Sequence, residues 1–498
     1  MPTCNVKVIS QFNFKNYGAG FITMRRVIHW FRCDLRVTDN TALWHACDQA
    51  DEVIPVYILS TWKKRHPWTG PNRQEFLCGC LESLFKNLEA IGGCLILRAG
   101  DPVQELEKLV NETHAKAIFF NRGTDPYSVE VQQQLEKASA KLQVQILSYK
   151  DVTILEPDEV LTKEGRPFRI FTSYAKAWHQ EEKPALLRKL RKLHTPPTVS
   201  SLPVPTLDFW GLSSEAKIIE SGEKAARRRL TEFLNGPMSA YRDWRNLPGE
   251  QATSRLSQDL RFGTLSPRQI FLSCVDARGK VSATARQSIN SYLNELVWRE
   301  FYIQILAHFP TVLHHDFSDQ FSTLQWDDND SAFQRWCEGS TGFPIVDAGM
   351  RELNATGFMH NRIRMIVAMF LTKDLHLHWR KGEQYFMQKL VDGDIAANNG
   401  GWQWSAGTGA DAAPYFRIQN PWNQTKSYDP AGKYIKTWLP ELRDVDPIRF
   451  TQPPTDRFAK NYPMPVVDHA TEREETLERF NRARRAQSKI HRGLISSK

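Results

Sequence analysis

The sequence predicts an α/β fold: an N-terminal domain on a doubly wound parallel sheet, then an all-helical C-terminal domain. Three observations predict it. Between residues 24 and 150, short apolar, β-branched runs alternate with amphipathic stretches. Residues 151–215 then hold seven prolines and little periodicity, which reads as an interdomain connector with short helices only. From residue 216 onward helical patterns dominate and strand alternation stops.

The strand candidates are residues 26–31 (RVIHWF), 53–59, 94–98, 117–121 and 144–148, with helical stretches such as 75–90 and 102–113 between them. Strands alternating with helices imply parallel pairing with both sheet faces covered. No Gly-x-Gly-x-x-Gly follows the first strand, so the usual dinucleotide fingerprint is missing. In the second half the helical candidates are residues 222–234, 286–307, 332–337, 362–375 and 383–390, with a charged helix at 472–492. The expected segments are a leader at 1–23, the α/β domain at 24–150, the connector at 151–215, the helical domain at 216–480 and a basic tail at 481–498. The leader lacks a clear signal peptide. It is either a disordered extension or a stretch ahead of a true start at Met24.

Composition narrows the class. A chain of 498 residues with 41% apolar and 24% charged residues is globular and long enough for more than one domain. The longest apolar candidate, residues 363–377, is broken by Arg364, Lys373 and Asp374, so no membrane span is expected. Eight cysteines are sparse, and Cys78-Gly79-Cys80 has the wrong spacing for a zinc or redox motif, so reduced thiols in the cytoplasm are expected. A net charge of +9 suits a polyanionic partner, although a basic protein with no nucleic acid partner fits equally.

Four clusters carry candidate chemistry. Thr253, Ser254, Arg255, Leu256 and Ser257 offer hydroxyls and backbone N–H groups before a helix, which suits an anion or an ordinary helix cap. Glu295, Trp298 and Arg299 share one helical face, suited to a planar hydrogen-bonding base or to a surface ion pair with the indole packed inward. Asn361 and Met365 lie one turn apart, with Arg362 and Arg364 directed elsewhere. Asp392, Gly393, Asp394, Asn398, Asn399, Gly400, Gly401, Trp402, Gln403 and Trp404 form the most specific run. Its acids have no His or third carboxylate beside them, so no metal site is expected. On a helix, Trp402 and Trp404 point about 200° apart.

These clusters, in this order, resemble the flavin-binding domain of the photolyase/cryptochrome family. Trp30-Phe31-Arg32 with Asp34-Leu35-Arg36 and Asp39-Asn40 is similar to the family's N-terminal signature, and the likeness runs over roughly residues 24–470. Most of all the chain resembles a class I-type or class III-like cyclobutane pyrimidine dimer photolyase. That resemblance implies an antenna domain, FAD held in the helical domain, and repair by electron transfer from excited reduced flavin. FAD would be bound by Tyr241, the 253–257 loop, Arg299, Arg364, Asp392, Gly393, Asp394 and Asn398, with Arg364 paired to Asp392 and Asn398 at flavin N5. The dimer would meet Glu295, Trp298, Asn361, Met365 and Trp404, and Arg245, Arg362 and Gln424 would touch phosphates. Trp402, Trp379 and Trp326 would relay electrons to an oxidised flavin. Asn398, where plant-type sensory cryptochromes carry Asp, favours repair over sensing; a signalling cryptochrome is the alternative. The antenna chromophore would be 8-hydroxy-5-deazaflavin or methenyltetrahydrofolate, or there would be none. The partner would be UV-damaged DNA, bound by a cytoplasmic, nucleoid-associated monomer.

Overall fold

The computed structural model describes residues 24–60 and 66–496, with side chains through residue 487. The expected leader at 1–23 lies outside the described residues, as does the very end of the tail. Five strands form one parallel sheet: β1 (Met24–Phe31), β2 (Ala50–Ser60), β3 (Ile96–Gly100), β4 (Ala117–Asn121) and β5 (Gln145–Tyr149), in the order β3-β2-β1-β4-β5. The order reverses between β1 and β4, as in doubly wound sheets. β1 is buried from Val27 to Phe31 and β4 along its whole length, the signature of a central parallel strand. Helices Thr41–Gln49, Pro71–Glu89, Pro102–Thr113 and Pro126–Leu142 make the crossovers. Asn40, Asp101 and Asp125 cap three of them, each accepting from a backbone N–H three residues on.

β3 starts two residues later than the sequence suggests. The Cys94 N–H donates to Thr195 Oγ1 at 3.1 Å and not to a neighbouring strand. The helix expected at 383–390 starts earlier, at Trp379, because the His378 side chain caps it by accepting from the Arg380 N–H.

Compactness divides the described chain into two units. The first takes the described residues up to Ser214 with Ile219–Ser239 and Ser254–His308; the second takes Glu215–Ile218, Ala240–Thr253 and the described residues from Phe309 on. In the first unit, a Cβ on Gly263 (φ +65°) would lie 2.1 Å from the Cys33 carbonyl oxygen, so only glycine lets the chain after helix Ser257–Phe262 touch the loop after β1. A buried network seals that contact. Asp151 accepts from Arg36 at 2.5 Å and Arg268 at 2.8 Å, and Arg268 also reaches Asp39 at 3.1 Å. Burial opposes ionisation of Asp151, but Arg36 and Arg268 hold its carboxyl below the usual range.

The second unit is built on helices; among its described residues the only β-pairing is an isolated bridge between Asp327 and Leu377. Its core gathers Trp336, Trp379, Trp402, Phe386 and Tyr462. Helix Asn361–Met369 runs on into a π-turn, Phe370–Asp374, against which the last helix, His469–Ser496, packs through His469 to Asp374 at 2.5 Å.

Candidate functional site

In the first unit the long helix Ala283–His308 carries Glu295, Trp298 and Arg299. The indole of Trp298 is stacked face to face on Phe171, with ring centroids 3.5 Å apart and planes within 4°. Phe171 opens helix Phe171–Gln180 of the connector, and buried Glu300 fixes that connector in place. The Glu300 carboxylate accepts from the backbone of Ile154, from the backbone of Leu155 at 3.2 Å and from Trp178 Nε1 at 2.6 Å. Arg299 Nη1 donates to the Val152 carbonyl at 3.0 Å. Trp298 is therefore a rigid, half-buried aromatic plate on a helix clamped by its own neighbours.

The segment Ser254–Ser257 leads into helix Ser257–Phe262. Arg255 adopts φ +50°, and no side chain caps the helix, so these hydroxyls do not act as its cap. Behind the segment, Asp259 is buried and held by Arg229 through two bonds of 2.7 and 3.1 Å. Ser254 and Arg255 are half-buried and Ser257 is exposed, while Thr253, half-buried, ends the preceding stretch of the second unit.

In the second unit, Arg364 Nη2 bridges both oxygens of Asp392 at 2.8 and 3.1 Å, and its Nε donates to the Met359 carbonyl at 2.8 Å. Asp394 caps helix Ile395–Ala406 by accepting from the Ala397 N–H. One turn on, Asn398 Nδ2 donates to the Glu383 carbonyl at 3.1 Å, which leaves its Oδ1 as an acceptor. Burial pushes the Glu383 carboxyl up to about 7, with the hydrogen bond from Asn399 opposing. Trp402 is buried against Gly382, where a Cβ would meet the indole at 2.1 Å. Trp404 is half-buried. The Trp402 Nε1–H is enclosed and has no partner, an orphaned donor of the kind a bound heteroaromatic group satisfies.

Arg362 lies 4.4 Å over the ring of Tyr428 and donates to Asn246 Oδ1 at 2.9 Å, with Met365 sulfur 3.7 Å from its Nη1. Asn361 is exposed at the start of its helix and Gln424 is half-buried. Tyr241 is buried with Arg245 at 5.7 Å from its ring. Trp326 is half-buried, and the imidazole of His378 lies 5.2 Å from it and 5.8 Å from the buried Trp379.

Each unit thus gathers its own share of the expected residues: Glu295, Trp298 and Arg299 in the first, and Arg364, Asp392, Asn398 and Trp402 in the second. The second set fits a planar ring carrying both N–H and acceptor atoms. It has a fixed cation–carboxylate pair, an amide turned to accept and a buried indole donor without a partner. Phe171, Glu300, Glu383, Gly382 and His378 were not singled out by sequence. Glu300 could have been, as an acid placed directly after Arg299; Phe171 gives no local signal.

Residues 27–197 match the family model described as DNA photolyase, and residues 292–482 match the FAD binding domain of DNA photolyase. The chain is 37% identical to deoxyribodipyrimidine photo-lyase of Synechococcus sp., over 92% of this chain and 97% of that one. In structure it is similar to a bacterial class III photolyase from Agrobacterium tumefaciens, at 34% identity and TM-score 0.86, covering 94% of this chain and all of the other. It is also similar to an archaeal photolyase from Sulfolobus tokodaii solved with two FAD molecules, at 30% identity and TM-score 0.79, covering 92% of this chain and all of that one. The chain belongs to the DNA photolyase/cryptochrome family. It carries that family's FAD-binding domain. Among the described residues no helix is long and apolar enough to cross a membrane, and no acid, His and Cys cluster could hold a metal ion.

Proposed function

We propose that the residues above divide the work of light-driven cyclobutane pyrimidine dimer repair in DNA, the reaction of a deoxyribodipyrimidine photo-lyase. FAD, when bound and reduced, would supply light-driven electron donation to the dimer. Tyr241, residues 253–257, Arg299, Arg364, Asp392, Gly393 and Asp394 hold this cofactor. Asn398 accepts from its ring N–H. Trp298 and Trp404 pack against the dimer, Glu295 and Asn361 hydrogen bond its edges, and Met365 fills the space beside them. Arg245, Arg362 and Gln424 hold the backbone phosphates. A damaged base pair is already poorly stacked, so drawing it out of the duplex costs less than for sound DNA.

The observation that carries repair over sensing is the Asn398 amide. Its Nδ2 is engaged by the Glu383 carbonyl at 3.1 Å, so the side chain is held as an acceptor, which suits a reduced ring bearing a hydrogen. The N-terminal sheet serves an antenna chromophore, 8-hydroxy-5-deazaflavin or methenyltetrahydrofolate. The likeness to the Agrobacterium enzyme supports a class III-like member. The protein works as a cytoplasmic monomer that joins the nucleoid when bound to damage.

Blue light on the reduced holoprotein with a thymine-dimer oligonucleotide tests this. Dimers should disappear only in the light. Glu295→Gln should lower repair per photon while weakening binding of the damaged strand by no more than about tenfold, the cost of one hydrogen bond. Illumination that leaves the dimers intact would point instead to a signalling cryptochrome.

A further inference from the structure

Trp379 is wholly buried, and its indole N–H donates to the carboxylate of Asp316, Nε1 to Oδ1, at 2.9 Å. Any carbonyl would satisfy that donor. A half-buried carboxylate is a costlier choice, because it must give up hydration. A second charge lies on the ring face. The Arg380 guanidinium sits 4.7 Å over the Trp379 ring, held there by its bond to the Leu313 carbonyl at 2.8 Å. Third, the His378 ring lies 5.8 Å from Trp379 and 5.2 Å from Trp326, and its Nδ1 is occupied by the Arg380 N–H at 3.2 Å.

These groups have opposite effects on an indole that loses an electron. The guanidinium repels the positive charge that would form under it. The carboxylate attracts that charge and lies on the one proton that oxidation makes acidic. Moving that proton about an ångström removes the positive charge from beneath Arg380 without exposing anything to water.

We propose that Asp316 is the proton acceptor of Trp379 during electron relay, so that Trp379 passes through a neutral radical. This rests on the reading of Trp402, Trp379 and Trp326 as the relay. The balance is one electron and one proton. An electron leaves Trp379 for Trp402, which has already given one toward the flavin. The indole N–H bond breaks and its proton forms a carboxylic acid on Asp316. An electron from Trp326 then reaches Trp379, the proton returns, and the deficit rests on Trp326. A thiol reductant in solution refills it. Asp316 acts through Trp379 and touches no substrate. Arg380 makes the uncompensated cation unfavourable and so drives the proton across.

The test uses flash photolysis of the holoprotein with its flavin oxidised and Trp326→Phe in place, which stops the deficit at Trp379. The cation and neutral forms of a tryptophan radical differ in visible absorption. Trp326→Phe should show the neutral form, with a slower rise in deuterated water. Adding Asp316→Asn, which can still accept the hydrogen bond but is not a base, should leave the cation. Formation of the neutral form should slow by about tenfold or more, the size of losing one charge-assisted partner. Asp316→Glu should restore it. In the dark, the indole N–H resonance that vanishes in Trp379→Phe should shift in Asp316→Asn and return in Asp316→Glu. Equal rates and equal isotope effects with and without Asp316→Asn would overturn the proposal while leaving the relay intact. Undiminished light-driven flavin reduction in Trp379→Phe alone would remove the relay, and this proposal with it.

Discussion

Two charge constellations in this molecule use the same residue types to different ends. Around Asp151 in the first unit the network is closed. Arg36 and Arg268 are almost wholly buried, and their donors go to Asp151, Asp39, the Thr41 hydroxyl and the carbonyls of Thr38, Asp39 and Gly263. Around Asp392 in the second unit the network is open. Arg364 keeps 26% of its side chain exposed, and the Asn398 Oδ1 is left for something else. Burial and pairing alone do not mark a site. What separates the two is valence: one set is spent within the fold, and the other is held in place but unspent.

Breaking the closed set should cost most. Asp151→Ala removes the buried carboxylate that Arg36 and Arg268 share and should lose about 3–5 kcal/mol of stability, read as a fall in the denaturant midpoint, with flavin lost only as a consequence of unfolding. A loss below about 1 kcal/mol would mean that the network is relaxed by water and is not closed.

The next effect concerns Glu383, beside the open set. Its carboxyl is raised from the ordinary 4.5 to about 7, so the folded state binds this proton more tightly than the unfolded chain does. Stability should therefore fall as pH rises from 4.5 toward 7 and level off above, by at most about 3 kcal/mol. Glu383→Gln should match the parent near the low end and exceed it above neutral in thermal melts across pH. Parallel melting curves would show that Glu383 is not held protonated.

The smallest effect sharpens the contrast. Arg364→Lys keeps the charge beside Asp392 but cannot also reach the Met359 carbonyl. Flavin retention should weaken by about tenfold, roughly 1.4 kcal/mol, in titrations of the stripped protein. The unfolding midpoint of that stripped protein should hardly move. A drop comparable to Asp151→Ala would place Arg364 among the structural charges.

Much of this was legible in the sequence because it is local. Strands buried on both faces announce themselves by unbroken apolar runs, as residues 27–31 and 117–121 do. The Arg364–Asp392 pair joins two motif segments and is present as expected. What escaped was long-range. β3 starts late because Thr195, about a hundred residues on, takes the Cys94 N–H. The plate under Trp298 comes from Phe171, 127 positions earlier, and no periodicity in either segment points to the other. The reach of Glu300 to Trp178 across 122 positions is equally silent.

Gly263 has a consequence for how the chain is made. Its carbonyl accepts from Arg36 across 227 positions, and Arg268 meets Asp39 across 229. The first unit therefore cannot close until synthesis has passed residue 268, and its last segment ends only at His308. Until then the loop after β1 lacks the groups that Gly263 and Arg268 bring to it. Closure over such separations is slow, and the waiting chain is open to aggregation. Replacing Gly263 should thus lower the yield of folded protein during translation, in addition to straining the finished molecule.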